Sequence, residues 1–449
     1  MKVAKFGGTS LANSEQIKKV CEIITADSER ELVVVSAPGK RYKEDIKVTD
    51  LLIKCAEKQM ESGESNAEFK AIIERYAEIA KELNMPEEIV EVIEKDLKQR
   101  LSSSVDNKGK FMDLLKAAGE DNTAKLVASY LTAKGFKATY INPKAAGLFL
   151  SDEFGNARVL PESYENLKQL KNIDGIKIFP GFFGYSKSGD VVTFPRGGSD
   201  ITGSILAAAV KADVYENFTD VDSVFVANPN IIKNPKPISV LTYREMRELS
   251  YAGFSVLHEE TLEPVYRTGI PVCIKNTNNP SAEGTLIIPD LKKKAGPVAG
   301  IACDTGFCNI YVSKYMMNRE IGFGRKLLQI LEDEGISYEH LPSGIDNVSI
   351  VLREKQLDKA TEERVMKRIK DELDVDDVSI EHDLALVMIV GEGMMHTVGI
   401  SSRATSALAK SGVNIQMINQ GSSEVSSMYG IKAVDADNAV KALYREFFE

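Results

Sequence analysis

Arg196, Gly197, Gly198, Ser199 and Asp200 form a glycine turn between a β-rich run, Val191 to Phe194, and an alanine-rich helical stretch. Unpaired backbone N–H groups at a helix start attract anions, and the flanking guanidinium and carboxylate suit a small charged ligand. A second polar group, Thr219, Asp220 and Asp222, closes the next apolar run, and a third, Lys5 with Gly7, Gly8, Thr9 and Ser10, closes the first. Glycines let a bulky anion approach the backbone, and Lys5 could reach the same anion as a point charge. The chain has neither GxxxxGK[ST] nor the dinucleotide GxGxxG at these turns. Glycine spacing on its own fits anion binding and simple turn geometry equally.

The elements that must position these groups read as repeated strand, turn and helix units. That pattern predicts an α/β fold with a three-layer, mostly parallel sheet, in which ligands lie outside the carboxyl ends of the strands. Lys2 to Phe6, Leu32 to Val35, Ala138 to Ile141, Ile176 to Pro180 and Val191 to Phe194 are the expected strands, with Ser14 capping a helix to about Ala26. Ser36, Thr49 and Asp50 follow the second strand and so fall on the ligand side, although the last two would equally serve as helix caps. Residues 55–105 carry helical apolar spacing, and Phe149 to Ala157 reads as a polar excursion with a hairpin. Glu120, after Gly119, suits a helix dipole or a substrate. Of the adjacent Phe182 and Phe183, one faces the core and the other a pocket. Beyond Pro229 come a turn-rich stretch with Lys233 and a helix from about Thr242 to Gly253. Strand ends are expected at Val256 to His258 and Val272 to Lys275, with the lone His258 in a structural role.

In 449 residues, 43% hydrophobic and 27% charged, there is material for two or three cores. The balance of 56 basic against 66 acidic residues, formal charge −10, argues against nucleic acid or an acidic membrane as partner. Cys21, Cys55, Cys273, Cys303 and Cys308 lack metal or redox spacing and read as reduced structural thiols. The start carries no basic-then-apolar leader and no long apolar run occurs, so the expected location is the cytoplasm.

Pro280 to Gly300, with Lys292 to Lys294, reads as the approach to a boundary, giving a first domain over 1–295. An internal repeat follows. Asn309 to Val312 matches Leu386 to Ile389, Gly322 matches Gly399, Gly335 matches Gly412 and Gly344 matches Gly421, all offset by 77 residues. Two βαββαβ modules are expected, over 296–375 and 376–449, the final strand of one completing the other. Their glycine-preceded helix starts suit an amino acid carboxylate or close packing between modules.

The ordered set KFGGTS (5–10), SAPGKR (36–41), VTD (48–50), GE (119–120), FPRGGSD (194–200), TDVDSVFVANP (219–229) and IPVCIKNTNNPSAEGTLI (270–287) resembles the aspartokinases of the amino acid kinase family. GEGM (391–394) and SGVNIQMINQGSS (411–423) resemble the second of two regulatory ACT modules, and the likeness spans the chain. The resemblance implies ATP-dependent, Mg2+-assisted phosphorylation of the L-aspartate side chain. By that resemblance Lys5, Gly8 and Asp200 are catalytic, and Ser36, Thr49, Glu120, Phe182, Arg196 and Ser199 surround aspartate, Arg196 taking its α-carboxylate. Lys5, Gly7, Gly8, Thr9, Ser10, Thr219, Asp220, Phe225, Asn230, Lys233 and Lys275 handle ATP, with magnesium carried on its phosphates. The family's usual TDVDGVYTADPR differs here at Ser223, Phe225, Val226, Asn228 and Asn230; the missing arginine transfers phosphate binding to Lys233. Feedback by lysine, or else threonine, is implied through Met316, Gly322, Phe323, Gly324, Glu339, Ser343 and Asp346, as is a homodimer or larger homo-oligomer. A kinase for another amino acid carboxylate, and a mainly regulatory amino acid sensor with a weak kinase core, remain as alternative readings.

Overall fold

The computed structural model describes residues 1–254, 256–257, 259–291 and 296–449. His258 and the Lys292 to Lys294 run therefore lie outside the described residues. Two units interleave along the chain: Met1–Val224, Pro237–Ser250 and Ser255–Lys292 form the first, and Phe225–Lys236, Tyr251–Phe254 and Lys293–Glu449 the second.

The strands up to residue 288 are β1 (Lys2–Phe6), β2 (Arg30–Val35), β3 (Ala138–Tyr140), β4 (Ile176–Pro180), β5 (Phe183–Tyr185), β6 (Val191–Thr193), β7 (Val214–Thr219), β8 (Val224–Phe225), β9 (Pro237–Ile238), β10 (Val240–Thr242), β11 (Val272–Asn276) and β12 (Thr285–Ile288). Eight of them make one sheet in the order β10-β12-β11-β7-β1-β2-β4-β3. All its neighbours run parallel except β11 and β12. The Val191 to Phe194 run corrects the sequence expectation: Val191–Thr193 leaves the parallel sheet and pairs antiparallel with β5 in a separate ribbon. The turn at Lys187, Ser188 and Gly189, with Gly189 at φ 90°, makes that hairpin possible, and alternation alone does not reveal a strand's partner. Two smaller corrections are that Asn13, not Ser14, caps the first helix by accepting from the Gln16 N–H, and that Val256 and Leu257 lie in a bend.

Period-2 alternation gives the sheet two distinct faces. Ala4, Phe6, Val33, Val35, Ile178 and Phe218 join one core with the helices Ser14–Thr25, Val48–Ser62, Asn66–Glu82, Glu88–Leu101 and Ala118–Ala133. Phe6 and Phe218, register partners, stack with ring centroids 4.7 Å apart. The helical excursion over 55–105 is thus three helices whose Ile72, Tyr76, Ile79, Ile89, Ile93 and Leu97 enter this core. Lys5 and Asn217, one residue out of phase, occupy the opposite face, which the helix Gly198–Val210 covers.

The second unit holds one five-stranded sheet, ordered β14-β13-β15-β17-β16, built from β13 (Gly300–Ser313), β14 (Asn347–Arg353), β15 (Asp377–Val390), β16 (Met417–Asn419) and β17 (Ser426–Lys432). The 77-residue repeat is visible as Gly322 and Gly399, which precede the helices Phe323–Asp333 and Ile400–Lys410 at φ 81° and 93°. The long strands are shared between the repeats. Phe307 to Ser313 of β13 pairs with β14 while Gly300 to Thr305 pairs with Ala385 to Val390; β15 correspondingly meets β13 along its whole length and β17 through Leu384 to Val390. All five cysteines are free thiols. Among the described residues no helix is long and apolar enough to cross a membrane.

Candidate active site

Parallel register brings the ends of β1, β2, β4, β7 and β11 to one edge: Phe6 lies beside Val35 and Phe218, Val35 beside Pro180, and Asn276 beside Thr219. Gly7, Ser36, Gly181, Asp220 and Thr277 therefore begin the loops at this edge, where a parallel sheet gathers its ligands.

Lys5 is buried and its Nζ lies 2.5 Å from Asp200 Oδ1, in the first turn of the Gly198–Val210 helix. The same oxygen accepts from Asn217 Nδ2 at 2.7 Å. Gly197, at φ 83°, reverses the chain into that helix; a non-glycine residue would be strained there. Gly8 answers a different need. A Cβ on it would lie 3.0 Å from the Ala37 carbonyl oxygen, and one on Gly39 only 2.6 Å from Gly8 C, so two loops meet through bare backbone, joined by the Gly39 N–H donating to the Gly8 carbonyl at 2.8 Å. Gly7 keeps its open side toward Lys5, whose Nζ would be 3.5 Å from a Cβ. Ser10 Oγ is paired with Thr277 Oγ1 at 2.7 Å, inside the protein rather than facing solvent.

Glu120 opens the helix Ala118–Ala133 and is buried, with Oε2 lacking any hydrogen-bond partner. Burial pushes its carboxyl up to about 8, against the opposing pull of backbone amides, Ala37 among them, and of Lys116. The Ser36-Ala37-Pro38 loop borders both helix starts: a Cβ on Gly119 would lie 2.7 Å from Ala37 Cβ, and the Pro38 carbonyl accepts from Val48 N–H at 3.0 Å, next to Thr49. Ser36, Thr49 and Glu120 are thereby assembled around one loop. On the opposite side Ser199 packs on Gly181, where a Cβ would come within 2.6 Å of Ser199 Oγ.

Phe182 adopts φ 75°, uncommon for a bulky residue. Its N–H donates to Thr202 Oγ1 at 3.0 Å, its carbonyl accepts from Phe194 N–H at 2.9 Å, and bare Gly198 makes room for its ring. Such strain, on the order of 1–3 kcal/mol, persists where the surroundings enforce it. Phe183 is the buried member of the pair. Arg196 is exposed and, among the described residues, has no hydrogen-bond or ion-pair partner.

At β7 and β11, Thr219 Oγ1 donates to Asp220 Oδ1 at 3.2 Å and its carbonyl accepts from Thr277 N–H at 2.9 Å, while Asn276 Nδ2 donates to Asp222 Oδ1 at 2.7 Å. Lys275 is half-buried on β11. Phe225, Asn230 and Lys233 belong to the second unit; Asn230 N–H donates to Asn228 Oδ1 at 2.9 Å, and Lys233 is exposed. Sequence reasoning did not single out Asn217, Asn276 or Thr277. A polar Asn217 in the otherwise buried VYENFT strand was the available signal.

Met316, at φ 59°, donates its N–H to Asp346 Oδ1 at 2.9 Å, and Ser343 bridges Val348. Gly322 caps the helix that Phe323 and Gly324 begin. Glu339 already has partners: Tyr251 Oη donates to it at 2.5 Å and Arg353 Nε lies 3.5 Å away.

The Amino acid kinase family profile matches residues 1–276, and an ACT domain profile matches residues 387–447. Aspartokinase 3 of Bacillus subtilis is 60% identical over 448 residues, covering 100% of this chain and 99% of its own. This chain belongs to the aspartokinases. It is accordingly an ATP-dependent phosphotransferase acting on a carboxyl group. Among solved structures, this aspartokinase is similar to the aspartate kinase of Clostridium acetobutylicum, described as an allosteric enzyme, at 42% identity and TM-score 0.88 with 100% of both chains covered. It is also similar to E. coli aspartokinase III in complex with aspartate and ADP, at 25% identity and TM-score 0.82, again with 100% of both chains covered. A further structure of the E. coli enzyme, with lysine and aspartate, matches at 25% identity and TM-score 0.80 over 100% of both chains.

Proposed function

We propose that this aspartokinase transfers the γ-phosphoryl group of ATP to the side-chain carboxylate of L-aspartate at the edge formed by β1, β2, β4 and β7, giving 4-phospho-L-aspartate and ADP. The observation that carries this reading is the buried Lys5–Asp200 pair beside Gly7, together with a buried Glu120 whose Oε2 has no hydrogen-bond partner. A carboxylate acceptor with pKa about 4 is already ionised at neutral pH and needs no general base. The barrier is repulsion between anions. Lys5 and the backbone N–H groups of Gly8 and Thr9 supply positive charge where the transferring phosphoryl gathers negative charge, those of Gly7 and Ser10 being given to the Phe218 and Gly7 carbonyls. Arg196, without a partner among the described residues, takes the α-carboxylate in a two-pronged grip, and Glu120 takes the ammonium, with Ser36, Thr49, Phe182 and Ser199 completing the pocket. One acceptor oxygen forms a bond to phosphorus as the bond to the ADP oxygen breaks.

Thr219, Asp220 and Lys275 are the candidate ATP contacts of the first unit. The cationic and bare-backbone groups at Lys5 and Gly7 fit a nucleotide phosphate. Magnesium would be carried on the ATP phosphates, as the family resemblance implies. Bound there, Mg2+ supplies neutralisation of phosphate charge. Residues 1–295 would form the catalytic domain and 296–375 and 376–449 the two ACT modules of a cytoplasmic homo-oligomer inhibited by L-lysine, with Met316, Gly322, Phe323, Gly324, Glu339, Ser343 and Asp346 as the effector contacts.

The test is ATP-dependent acyl phosphate formation, trapped with hydroxylamine, on aspartate, glutamate and N-acetylglutamate. Turnover confined to aspartate is expected; preference for either other acceptor overturns the assignment. Equilibrium binding of lysine and threonine alongside activity tests the regulatory part, and an unchanged rate at saturating lysine overturns it.

A further inference from the structure

We infer that Asn217 is a positioning residue for phosphoryl transfer, holding Asp200 so that Lys5 stays aimed at the site. This inference rests on the kinase reading of the same edge. Asn217 is 2% exposed and sits on β7 directly opposite Lys5 of β1 in the parallel register. Both side chains therefore emerge on the face covered by the Gly198–Val210 helix and meet at one atom, Asp200 Oδ1, with Asn217 Nδ2 at 2.7 Å and Lys5 Nζ at 2.5 Å. Tyr215, two residues earlier and so on the same face, donates its Oη to the Asp200 carbonyl at 3.1 Å and accepts from Asn217 Nδ2 at 3.4 Å. Asp200 is thus held at its carboxylate and its backbone by one strand.

The chemistry explains why an amide belongs here. A lysine paired with a carboxylate alone can follow it through several rotamers. A neutral N–H donor on the same oxygen fixes the carboxylate without adding charge that would compete with Lys5 or a phosphate. An apolar residue at 217 would leave the helix packing intact and release that restraint. A carboxylate there would set two like charges around one lysine and raise the pKa of the pair.

The test compares wild type with Asn217→Leu and Asn217→Asp, reading kcat, the KM for each substrate, thermal unfolding and the pH–rate profile. Wild-type turnover on aspartate comes first; its absence would reject the kinase reading itself, independently of Asn217. Given that turnover, Asn217→Leu should lower kcat at least tenfold with both KM values within about threefold. Asn217→Asp should be slow at neutral pH and gain activity as pH falls, because the protonated carboxyl can again donate to Asp200; the groups facing it are Lys5, Asp200 and Tyr215. A kcat within twofold of wild type in Asn217→Leu, or a wild-type-shaped pH profile in Asn217→Asp, overturns the inference. So does loss of folded protein in both variants, which would make Asn217 a framework residue only.

Discussion

Arg75 donates through Nη2 to both carboxylate oxygens of Asp45, each at 2.8 Å, and through Nη1 to the Gly39 carbonyl at 3.2 Å. Gly39 in turn donates to Gly8, so the helix Asn66–Glu82 braces the glycine turn beside Lys5 through one intervening loop. Arg75→Ala removes one of two guanidinium groups on Asp45, the other being Arg41, which donates through Nε at 3.0 Å and Nη2 at 3.1 Å, so the charge stays paired and the cost should be about 1–3 kcal/mol. Denaturant unfolding should show that loss, with the KM for ATP raised more than the KM for aspartate. Unchanged stability would mean that the pair is solvated in solution.

Lys5→Ala removes the cation nearest the transferring group. A fall in kcat of about 10²–10³ is expected, with aspartate affinity retained, since electrostatic groups of this kind act on the transition state. Steady-state kinetics paired with calorimetric aspartate binding separate the two effects. Loss of binding with little loss of turnover would reject the assigned role.

Glu120 makes a signed prediction with pH. Its folded-state pKa of about 8 lies above the ordinary carboxyl value, because burial disfavours the charged form. Between about pH 4.5 and pH 8 the folded chain keeps a proton that the unfolded chain has released, so stability falls as pH rises through this window and levels off above it. Glu120→Gln should flatten the profile and stabilise the ligand-free enzyme at pH 8 by on the order of 2–4 kcal/mol. Aspartate binding should tighten in wild type between pH 6.5 and pH 8.5, roughly the range in which this carboxyl ionises, and lose that slope in the variant. Thermal scans and titration calorimetry across pH provide both readings.

Arg196→Ala should separate binding from folding. The side chain is exposed and has no partner among the described residues, so stability should stay within about 0.5 kcal/mol. Loss of a charge-assisted, two-pronged contact should raise the aspartate KM about 10- to 100-fold. Arg196→Lys should recover only part, because an ammonium cannot reproduce the planar fork. An unaltered aspartate KM would exclude Arg196 from the substrate.

Much of this edge was legible because its strands end at polar residues that have no reason to interrupt an apolar run. Lys5, Ser36 and Thr219 mark such ends. The β5–β6 ribbon was not legible, since Val191 to Thr193 is as β-branched as a strand of the main sheet and only its partner distinguishes the two cases. Asn217 escaped notice for the opposite reason: it lies inside a strand, and its meaning comes from Lys5, far away in the chain and adjacent only through register. Gly8 was legible as a turn, but the close neighbour that a Cβ there would meet, the Ala37 carbonyl oxygen at 3.0 Å, comes from folding two loops back to back.

The sharing of β13 and β15 between the repeats has a genetic consequence. Gly300 to Thr305 hydrogen-bonds along Ala385 to Val390, so the opening of the first repeat finishes the sheet of the second. A stop codon after residue 375 would remove β15 and leave Gly300 to Thr305 of β13 without its mate, and a crossover exchanging only the second repeat would have to bring a compatible β13 with it. The tandem is inherited as one cassette.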